Sequence, residues 1–418
     1  MDRECIVVVC GHGINDPLVS TLMLNYAVRL QREEPGRPML FFTEEPGAIA
    51  APPALLAEME ACGIRWHPMK YDIHGHQFLQ RMRNMATVCL KGWWFARGAK
   101  RRKVVGFLPM AGAYASALRT LGFHWFVLVS FEPHSRYMAE LGVWRKDSMK
   151  YKVSAWFERR QVRNADVVVA PTQAAVDLVA QSGSAARVVH QGVTVDVPAN
   201  ARREDRRLAL RSALGLDGRV VLAYAGKFNG LYYSEADYVR FMETTCGMDE
   251  RVHHLVVTFP EHGGLIKEGI DKAGLAGRCT VLDPVPPAEL TDYLSASDIG
   301  VIAVPPTPSQ AFRTPVKSAL YWAAGLPIIV PAGISDDWRI ARDRQVGLVL
   351  PDLMQVEAGA FRALLDEVSG SGAAALRQRC VDAAMAFRDT GLMVEVLREA
   401  LAEDQSGFTP KGRAASDR

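Results

Sequence analysis

Short apolar runs alternate with longer segments of helical periodicity along most of the chain. The first half contains five such runs, at 6–10, 39–42, 104–108, 125–129 and 167–170. Alternation of this kind is typical of a parallel β-sheet covered by helices on both faces.

The pattern stops at a charged segment, 198–213, and then begins again. Six further apolar runs follow, at 220–225, 255–259, 279–282, 299–304, 327–330 and 347–350. We therefore predict an α/β chain with two doubly wound, Rossmann-like domains, at 1–198 and 199–390, followed by a C-terminal helix and a disordered tail at 391–418. Ligands of open α/β sheets bind at the carboxyl ends of the strands, so we expect two facing domains with the site in the cleft.

Composition narrows the class of protein without identifying it. Of the 418 residues, 49% are hydrophobic and 23% are charged, which excludes a largely disordered, a collagen-like or a disulfide-rich chain. The seven cysteines are scattered, as expected of free thiols in a reducing compartment. No apolar run has the length of a bilayer span and no secretory signal is visible, so a cytoplasmic location is predicted.

Charge is distributed unevenly along the chain. The net charge is +3 overall, and residues 73–131 carry basic side chains with no aspartate or glutamate among them. An acid-free segment of this length predicts an anionic partner for the first domain.

Residues 78–103 combine large apolar side chains with cations. Trp93, Trp94 and Phe95 precede the basic run 100–103. One interpretation is a helix that faces the core and ends in a solvated basic segment. The other is a patch that meets an anionic membrane surface, peripherally and at its inner face. Nucleic acid is not predicted as a partner, because no aromatic stacking platform accompanies the charge.

The segment 309–330 carries the chemistry. A helix is predicted to begin with Thr314 as N-cap and Pro315 at the first helical position. A helix N-terminus attracts anions, and Lys317 in the first turn adds a full positive charge. We interpret the segment as a phosphate-binding loop.

Several motifs of the chain resemble those of a known family and occur in the same order. The resemblance covers roughly the whole chain. Residues 314–327 resemble the S-P-x-K-x-x-E-Y-x-A-x-G-x-P signature of retaining GT-B glycosyltransferases of the large family four group, and 224–233 resemble the Y-x-G-S-x-x-x-W-Y opening of the second domain in one branch. Residues 165–172 and 189–193 are similar to two further segments of that family.

The resemblance implies the GT-B fold and transfer of a sugar, with retention of configuration, from a nucleotide-sugar donor to a glycan or lipid-linked acceptor in polysaccharide or glycoconjugate biosynthesis. On the donor side, it implies roles for Gly226, Lys227, Arg313, Thr314 and Lys317, with Lys227 and Lys317 stabilising the leaving diphosphate. In the first domain, the implied residues are Gly11 and Gly13 near the donor, and His134 and Glu132 near the reacting sugar and the acceptor, His134 being the catalytic candidate.

Two features qualify these expectations. The chain contains no D-x-D motif, so neither a metal nor another cofactor is expected, the nucleotide sugar being a substrate. The family places acids where this chain has Phe312 and Leu320, and Leu320 cannot accept hydrogen bonds from a ribose. Either another group binds the ribose, the donor is unusual, or the chain is a non-catalytic nucleotide-sugar-binding relative or scaffold subunit. A sugar-nucleotide epimerase on the same fold would need acids that we do not find in the sequence.

Overall fold

The chain divides into two compact units in the computed structural model, which describes residues 4–402 except 48, 73 and 131. The first unit contains Met1–Gly192 together with Thr390–Arg418, and the second contains Val193–Asp389. Our sequence-based divisions at 198/199 and 390/391 lie within a few residues of these. Residues 403–418, which include the predicted tail, lie outside the described residues.

The first unit is built on a sheet of seven parallel strands in the order β3-β2-β1-β4-β5-β6-β7. The strands are β1 (Glu4–Cys10), β2 (Met39–Pro46), β3 (Ile64–Tyr71), β4 (Arg101–Phe107), β5 (Trp125–Val129), β6 (Val167–Ala170) and β7 (Arg187–His190). All five predicted strands are present. The sequence did not predict the two edge strands, because β3 and β7 both have polar residues among their apolar ones.

Helices cover this sheet between successive strands. They are α1 (Leu24–Glu33), α2 (Pro53–Ala61), α3 (Gln77–Ala96), α4 (Leu108–Thr120), α5 (His134–Glu140), α6 (Met149–Asn164) and α7 (Gln173–Gln181). A π-helical segment, Leu18–Met23, leads into α1. In the central strand β1, every residue after Glu4 is buried, which is why this strand is an uninterrupted apolar run.

The second unit has six parallel strands in the order β10-β9-β8-β11-β12-β13. They are β8 (Val220–Ala225), β9 (Val252–Val257), β10 (Cys279–Leu282), β11 (Ile299–Val301), β12 (Ile328–Pro331) and β13 (Gly347–Leu350). Each corresponds to one of the six predicted runs. The helices are α8 (Glu204–Ala213), α9 (Glu235–Met248), α10 (Pro260–Lys272), α11 (Pro287–Ala296), α12 (Val316–Ala323), α13 (Asp337–Asp343), α14 (Ala358–Ser369) and α15 (Ala373–Arg388).

Both sheets are doubly wound, as the sequence predicted. In each, the chain builds outward from a central strand to one edge and then returns to build on the other side. The direction reverses between β1 and β4 in the first unit and between β8 and β11 in the second. A switch point of this kind opens a crevice at the carboxyl ends of the two strands, so it is where each unit is expected to bind a ligand.

The last helix, α16 (Thr390–Leu401), belongs to the first unit and packs against α1. Lys103 Nζ donates to the Leu401 carbonyl at 2.5 Å and to Glu4 Oε2 at 2.7 Å. The Trp125 indole donates to the Ala400 carbonyl at 2.6 Å. The prediction that Lys103 belongs to an exposed basic run is wrong, because the residue lies in β4 and is only 2% exposed.

Replacing Lys103 with Met should destabilise the first unit. The substitution leaves the Leu401 carbonyl without its cation and removes one of the partners of Glu4, which keeps Arg37 Nη1 at 3.2 Å. A lost charged hydrogen bond of this kind costs about 1–3 kcal/mol. Calorimetry should show unfolding at a lower temperature than in the wild type, whereas Lys146→Met, at an exposed position, should leave the trace unchanged. Equal melting of the two variants would contradict this account of Lys103.

Candidate functional site

The loop between β11 and α12 places Lys317 in the first turn of α12. The helix begins at Val316, and Pro315 occupies the N-cap position with an extended backbone. The prediction that Thr314 caps the helix is therefore wrong. Its hydroxyl instead faces the Ser335 hydroxyl, 3.4 Å away, in the loop that follows β12.

Lys317 passes directly over Gly226, the residue that follows β8. A Cβ at position 226 would stand 2.5 Å from Lys317 Cε and 2.8 Å from Lys317 Nζ, closer than real contacts allow. The Gly226 backbone cannot move away easily, because its N–H donates to the Val257 carbonyl at 2.9 Å and its carbonyl accepts from Thr258 Oγ1 at 2.7 Å. A side chain at this position would push the flexible end of Lys317 aside, so glycine is what lets the lysine lie here.

Tyr321 fixes α12 against the same strand end. Its ring lies over Gly300 in β11, where a Cβ would come within 2.3 Å of the ring. Its hydroxyl accepts a hydrogen bond from the Ala225 N–H, 3.2 Å away, at the last residue of β8. The helix that carries Lys317 and the strand that leads to Gly226 are therefore held together by one buried side chain. Its neighbour Leu320 offers no acceptor at the position where the resembled family has an acid.

A tight turn returns the chain after β8 and brings Tyr232 to Lys317. Asn229 and Gly230 have φ values of 64° and 62°, the pair of left-handed residues that an Asn-Gly turn provides. The Tyr232 N–H donates to the Asn229 carbonyl at 3.1 Å. Lys317 Nζ then lies 4.2 Å from the centre of the Tyr232 ring and 5.4 Å from that of Tyr224.

The charges of three cations act on the Tyr232 hydroxyl, and Lys317 is the one whose ammonium group lies against the ring. Lys317, which also hydrogen bonds to the phenol, lowers the pKa of Tyr232 most, and Arg313 and Lys227 lower it further, against the opposing effect of burial. Lys227 is exposed, with Nζ 5.1 Å from the centre of the Phe259 ring. The structure thus brings Gly226, Lys227, Arg313 and Lys317 together, with Thr314 in the same loop, at the switch point of the second sheet.

Tyr232 was not among the candidates from the sequence. It lies inside the quoted 224–233 motif, but nothing in that segment indicates that its hydroxyl meets cations from residues 313 and 317. An aromatic residue a few positions after a Gly-Lys pair was the one available signal.

In the first unit, Gly11 and Gly13 follow β1, and the structure gives them different roles. A Cβ on Gly13 would stand 2.8 Å from Glu45 Oε2 and from Pro46 Cδ, so Gly13 is needed for the close approach of the end of β2. The buried Glu45 carboxylate in turn accepts from the Ile14 N–H at 2.9 Å. A Cβ on Gly11 would meet Met110 at an ordinary 3.4 Å, so sterics do not demand glycine there.

His134 and Glu132 follow β5, also at the carboxyl end of the first sheet. His134 is the first residue of α5, and its ring lies 5.5 Å from that of Trp144 and 5.7 Å from that of Tyr137. The adjacent Ser135 donates from its N–H and its hydroxyl to the buried Glu158, each at 2.6 Å. Burial raises the pKa of Glu158, against the effect of these hydrogen bonds. This arrangement fixes the first turn of α5, and with it the position of His134.

Metal-ligating side chains do not cluster in the part of the chain that the structure describes: no three or more His, Cys, Asp or Glu residues there are arranged to hold an ion. Nor is any helix among the described residues long and apolar enough to cross a membrane.

Comparison with known proteins identifies the fold. No protein-family model matches the sequence, and a search of curated proteins finds no match. The chain is similar to the structure of Anabaena HepE with UDP, with a TM-score of 0.68 at 11% identity over 95% of this chain and 99% of that one. It is also similar to sucrose-phosphate synthase from Thermosynechococcus elongatus, with a TM-score of 0.68 at 16% identity over 96% and 100%.

A third similar structure is WaaG, a glycosyltransferase involved in lipopolysaccharide biosynthesis, with a TM-score of 0.61 at 12% identity over 96% of this chain and 100% of that chain. All three are GT-B proteins. With its two parallel sheets of seven and six strands, the chain has the GT-B fold, as the sequence predicted.

The cations around Tyr232 give a measurable signature. One tyrosine should ionise below the usual pKa of about 10, and ultraviolet titration of Tyr232→Phe should lack that step. Lys317→Met removes the largest favourable charge, so the pKa of Tyr232 should rise in that variant, whereas Lys267→Met, an exposed lysine on α10, should leave it unchanged. An identical titration in the wild type and in Lys317→Met would show that the two side chains do not interact.

Proposed function

We propose that this protein is a glycosyltransferase that moves a sugar from a nucleotide-sugar donor to a glycan or lipid-linked acceptor, with retention of configuration and without a metal, in polysaccharide or glycoconjugate biosynthesis. The observation that carries the proposal is the position of Lys317, against Gly226 and with Nζ 4.2 Å from the centre of the Tyr232 ring, at the switch point of the second sheet of a GT-B fold. The fold adds support, since HepE has been solved with UDP and with UDP-glucose.

The site suits a leaving diphosphate. As the bond between the sugar carbon and the phosphate oxygen breaks, negative charge grows on the nucleoside diphosphate. Lys317 and Lys227 are the candidates to stabilise that charge, with Arg313 as a bidentate ligand and the backbone N–H groups near Thr314 at the start of α12. Gly226 allows Lys317 to lie against the strand end, where a phosphate could approach both. These three cations would supply charge of the kind that a divalent metal supplies in other transferases.

The first unit is proposed to supply the acceptor side. His134 is our candidate to contact the sugar near the reacting carbon, and Glu132 is the second candidate for the acceptor. Gly11 lies in the β1–α1 loop with room around it, and Gly13 shapes that loop through its contact with Glu45. The proposal for Gly13 is therefore indirect: it sets the path of the backbone that would approach the donor.

A second candidate function rests on Leu320. The resembled family places an acid at this position, and an alkyl side chain cannot accept hydrogen bonds from a ribose. A protein that kept the cations but lost this acid could bind nucleotide sugars as a scaffold subunit without transferring them. Turnover separates the two functions.

The test is a screen of nucleotide sugars for hydrolysis of the donor, together with calorimetric titration of UDP. A transferase should bind UDP and hydrolyse at least one donor slowly. Binding of UDP with no turnover of any donor would favour the non-catalytic function. Absence of binding to every nucleoside diphosphate tested would overturn both.

With an active donor, Lys317→Ala should lower kcat/KM by about 10²–10³-fold, because loss of one pre-aimed group at developing charge typically costs about 2.7–4 kcal/mol of barrier. Lys267→Ala, on the exposed face of α10, is the matched control and should keep full activity. Circular dichroism should be the same for both variants. Undiminished turnover by a folded Lys317→Ala protein would show that this loop is not the diphosphate site.

Gly226→Ala tests the geometry without removing a charge. The new Cβ would occupy the space of the Lys317 side chain, so the ammonium group must leave its position over β8. We expect UDP affinity to fall by about tenfold, the effect of one misplaced charged hydrogen bond. Gly264→Ala, in α10 where a Cβ meets nothing within 4 Å, should bind UDP as the wild type does. Equal affinity in the two variants would mean that Lys317 need not lie over Gly226.

A further inference from the structure

Helix α3 has two apolar faces, and the sheet covers one of them. Asn84, Val88, Gly92 and Ala96, spaced four residues apart, are buried. The helix packs so closely that a Cβ on Gly92 would stand 3.2 Å from Leu118 Cδ2 in α4. The contacts of this inner face hold α3 in the first unit. They do not account for the residue types on the opposite side of the helix.

The opposite side is also apolar, and it is exposed. We define the outer face by Leu79, Met82, Leu90, Trp93 and Trp94, which project on the side away from the buried residues because of their helical spacing. Leu90 is 73% exposed, Trp94 60% and Trp93 46%. The face extends over about 22 Å at 1.5 Å per residue. Solvent-exposed helix surfaces are normally polar, so an apolar face of this length marks a binding surface.

Cations lie beside the outer face. Lys91 and Arg97 are exposed there, whereas the Arg83 guanidinium is held by the protein, its Nη2 donating to the Lys70 carbonyl at 2.5 Å. The Arg97 guanidinium lies 3.4 Å from the centre of the Trp94 ring, so this cation and this aromatic form one unit of the surface. Between Asp72 and Glu132 the sequence has no acidic residue.

Two other cations of the segment are not part of this surface. Lys103 is buried in β4 with Glu4 and the Leu401 carbonyl. Arg81 turns toward the buried Glu44 carboxylate, at 3.7 Å, and stacks on Tyr71. The charge of the surface therefore belongs to α3 and the residues just after it, not to the whole basic stretch.

We propose that the outer face of α3 docks on an anionic lipid bilayer, with α3 lying in the plane of the interface. Leu90 and the two tryptophans would enter the boundary between headgroups and acyl chains, while Lys91 and Arg97 meet lipid phosphates. The charge selects this occupant over a second copy of the chain, because two such faces packed together would bring like charges into contact. The inference does not depend on the proposed function, although it would bring a lipid-linked acceptor to the same protein.

Flotation with vesicles tests the docking. The full chain should float with vesicles of equal parts phosphatidylglycerol and phosphatidylcholine, and added salt should reduce the bound fraction because it screens the phosphates. Vesicles of phosphatidylcholine alone should bind much more weakly. No flotation with the anionic vesicles, or equal binding to both kinds, would overturn the proposal.

The variants separate the apolar contribution from the charge. Leu90→Glu with Trp94→Glu should lower the partition coefficient by at least about tenfold, since it removes two inserted side chains and adds repelling charge. Lys91→Gln should lower it by about fivefold, the factor that corresponds to about 1 kcal/mol per cation near such a surface. These positions are exposed, so unfolding is not expected, and circular dichroism checks this.

The matched control is Leu208→Glu, on α8 in the second unit, where the leucine is 69% exposed. It should float as the wild type does. Tryptophan emission should shift to the blue on addition of anionic vesicles, and less so in Trp93→Phe. Unchanged flotation of the Leu90→Glu, Trp94→Glu protein, or a dimer in sedimentation equilibrium that this double substitution abolishes, would overturn the membrane assignment.

Discussion

The candidate site depends on the missing side chain at residue 226. Because β8 ends in a glycine whose backbone is held by Val257 and Thr258, the space beside the strand end is open to one neighbouring side chain, and Lys317 fills it. Tyr321 holds the helix start to the same strand through the Ala225 N–H. The Asn-Gly turn then adds Tyr232, and with it a group whose ionisation responds to all three cations.

Charge in the first unit shows how the same residue type takes opposite roles within a short segment. Lys91 is exposed beside the apolar outer face of α3, whereas Lys103, at the third position of β4, is buried and holds the end of α16. A buried lysine ammonium group needs a charge partner and hydrogen-bond acceptors. Here the Glu4 carboxylate and a helix-terminal carbonyl provide them. The acid-free stretch of the sequence therefore contains two separate structural features. One is a buried ion pair, and the other is an exposed surface.

The features that the sequence failed to predict have local physical causes. Uninterrupted apolar runs predicted the six strands of the second unit and the five inner strands of the first, whereas the edge strands β3 and β7 have polar residues among their apolar ones. Thr314 was wrongly placed as the N-cap because proline fixes φ but leaves ψ open, and Pro315 is extended rather than helical. In this conformation the Thr314 hydroxyl contacts the hydroxyl of Ser335, a residue 21 positions later in the chain.

The sequence by itself determined the doubly wound class, the positions of most strands along the chain, the Gly-Lys pair after β8 and the lysine at the start of α12, since each depends on local periodicity or on a few neighbouring residues. The tertiary structure decided that Tyr232 lies among Lys317, Arg313 and Lys227, that Lys103 meets Leu401, and that α3 exposes a second apolar face. Each of these features depends on which residues, distant in the sequence, the folded sheets bring together. The local pattern of apolar and polar residues does not specify which side chains meet.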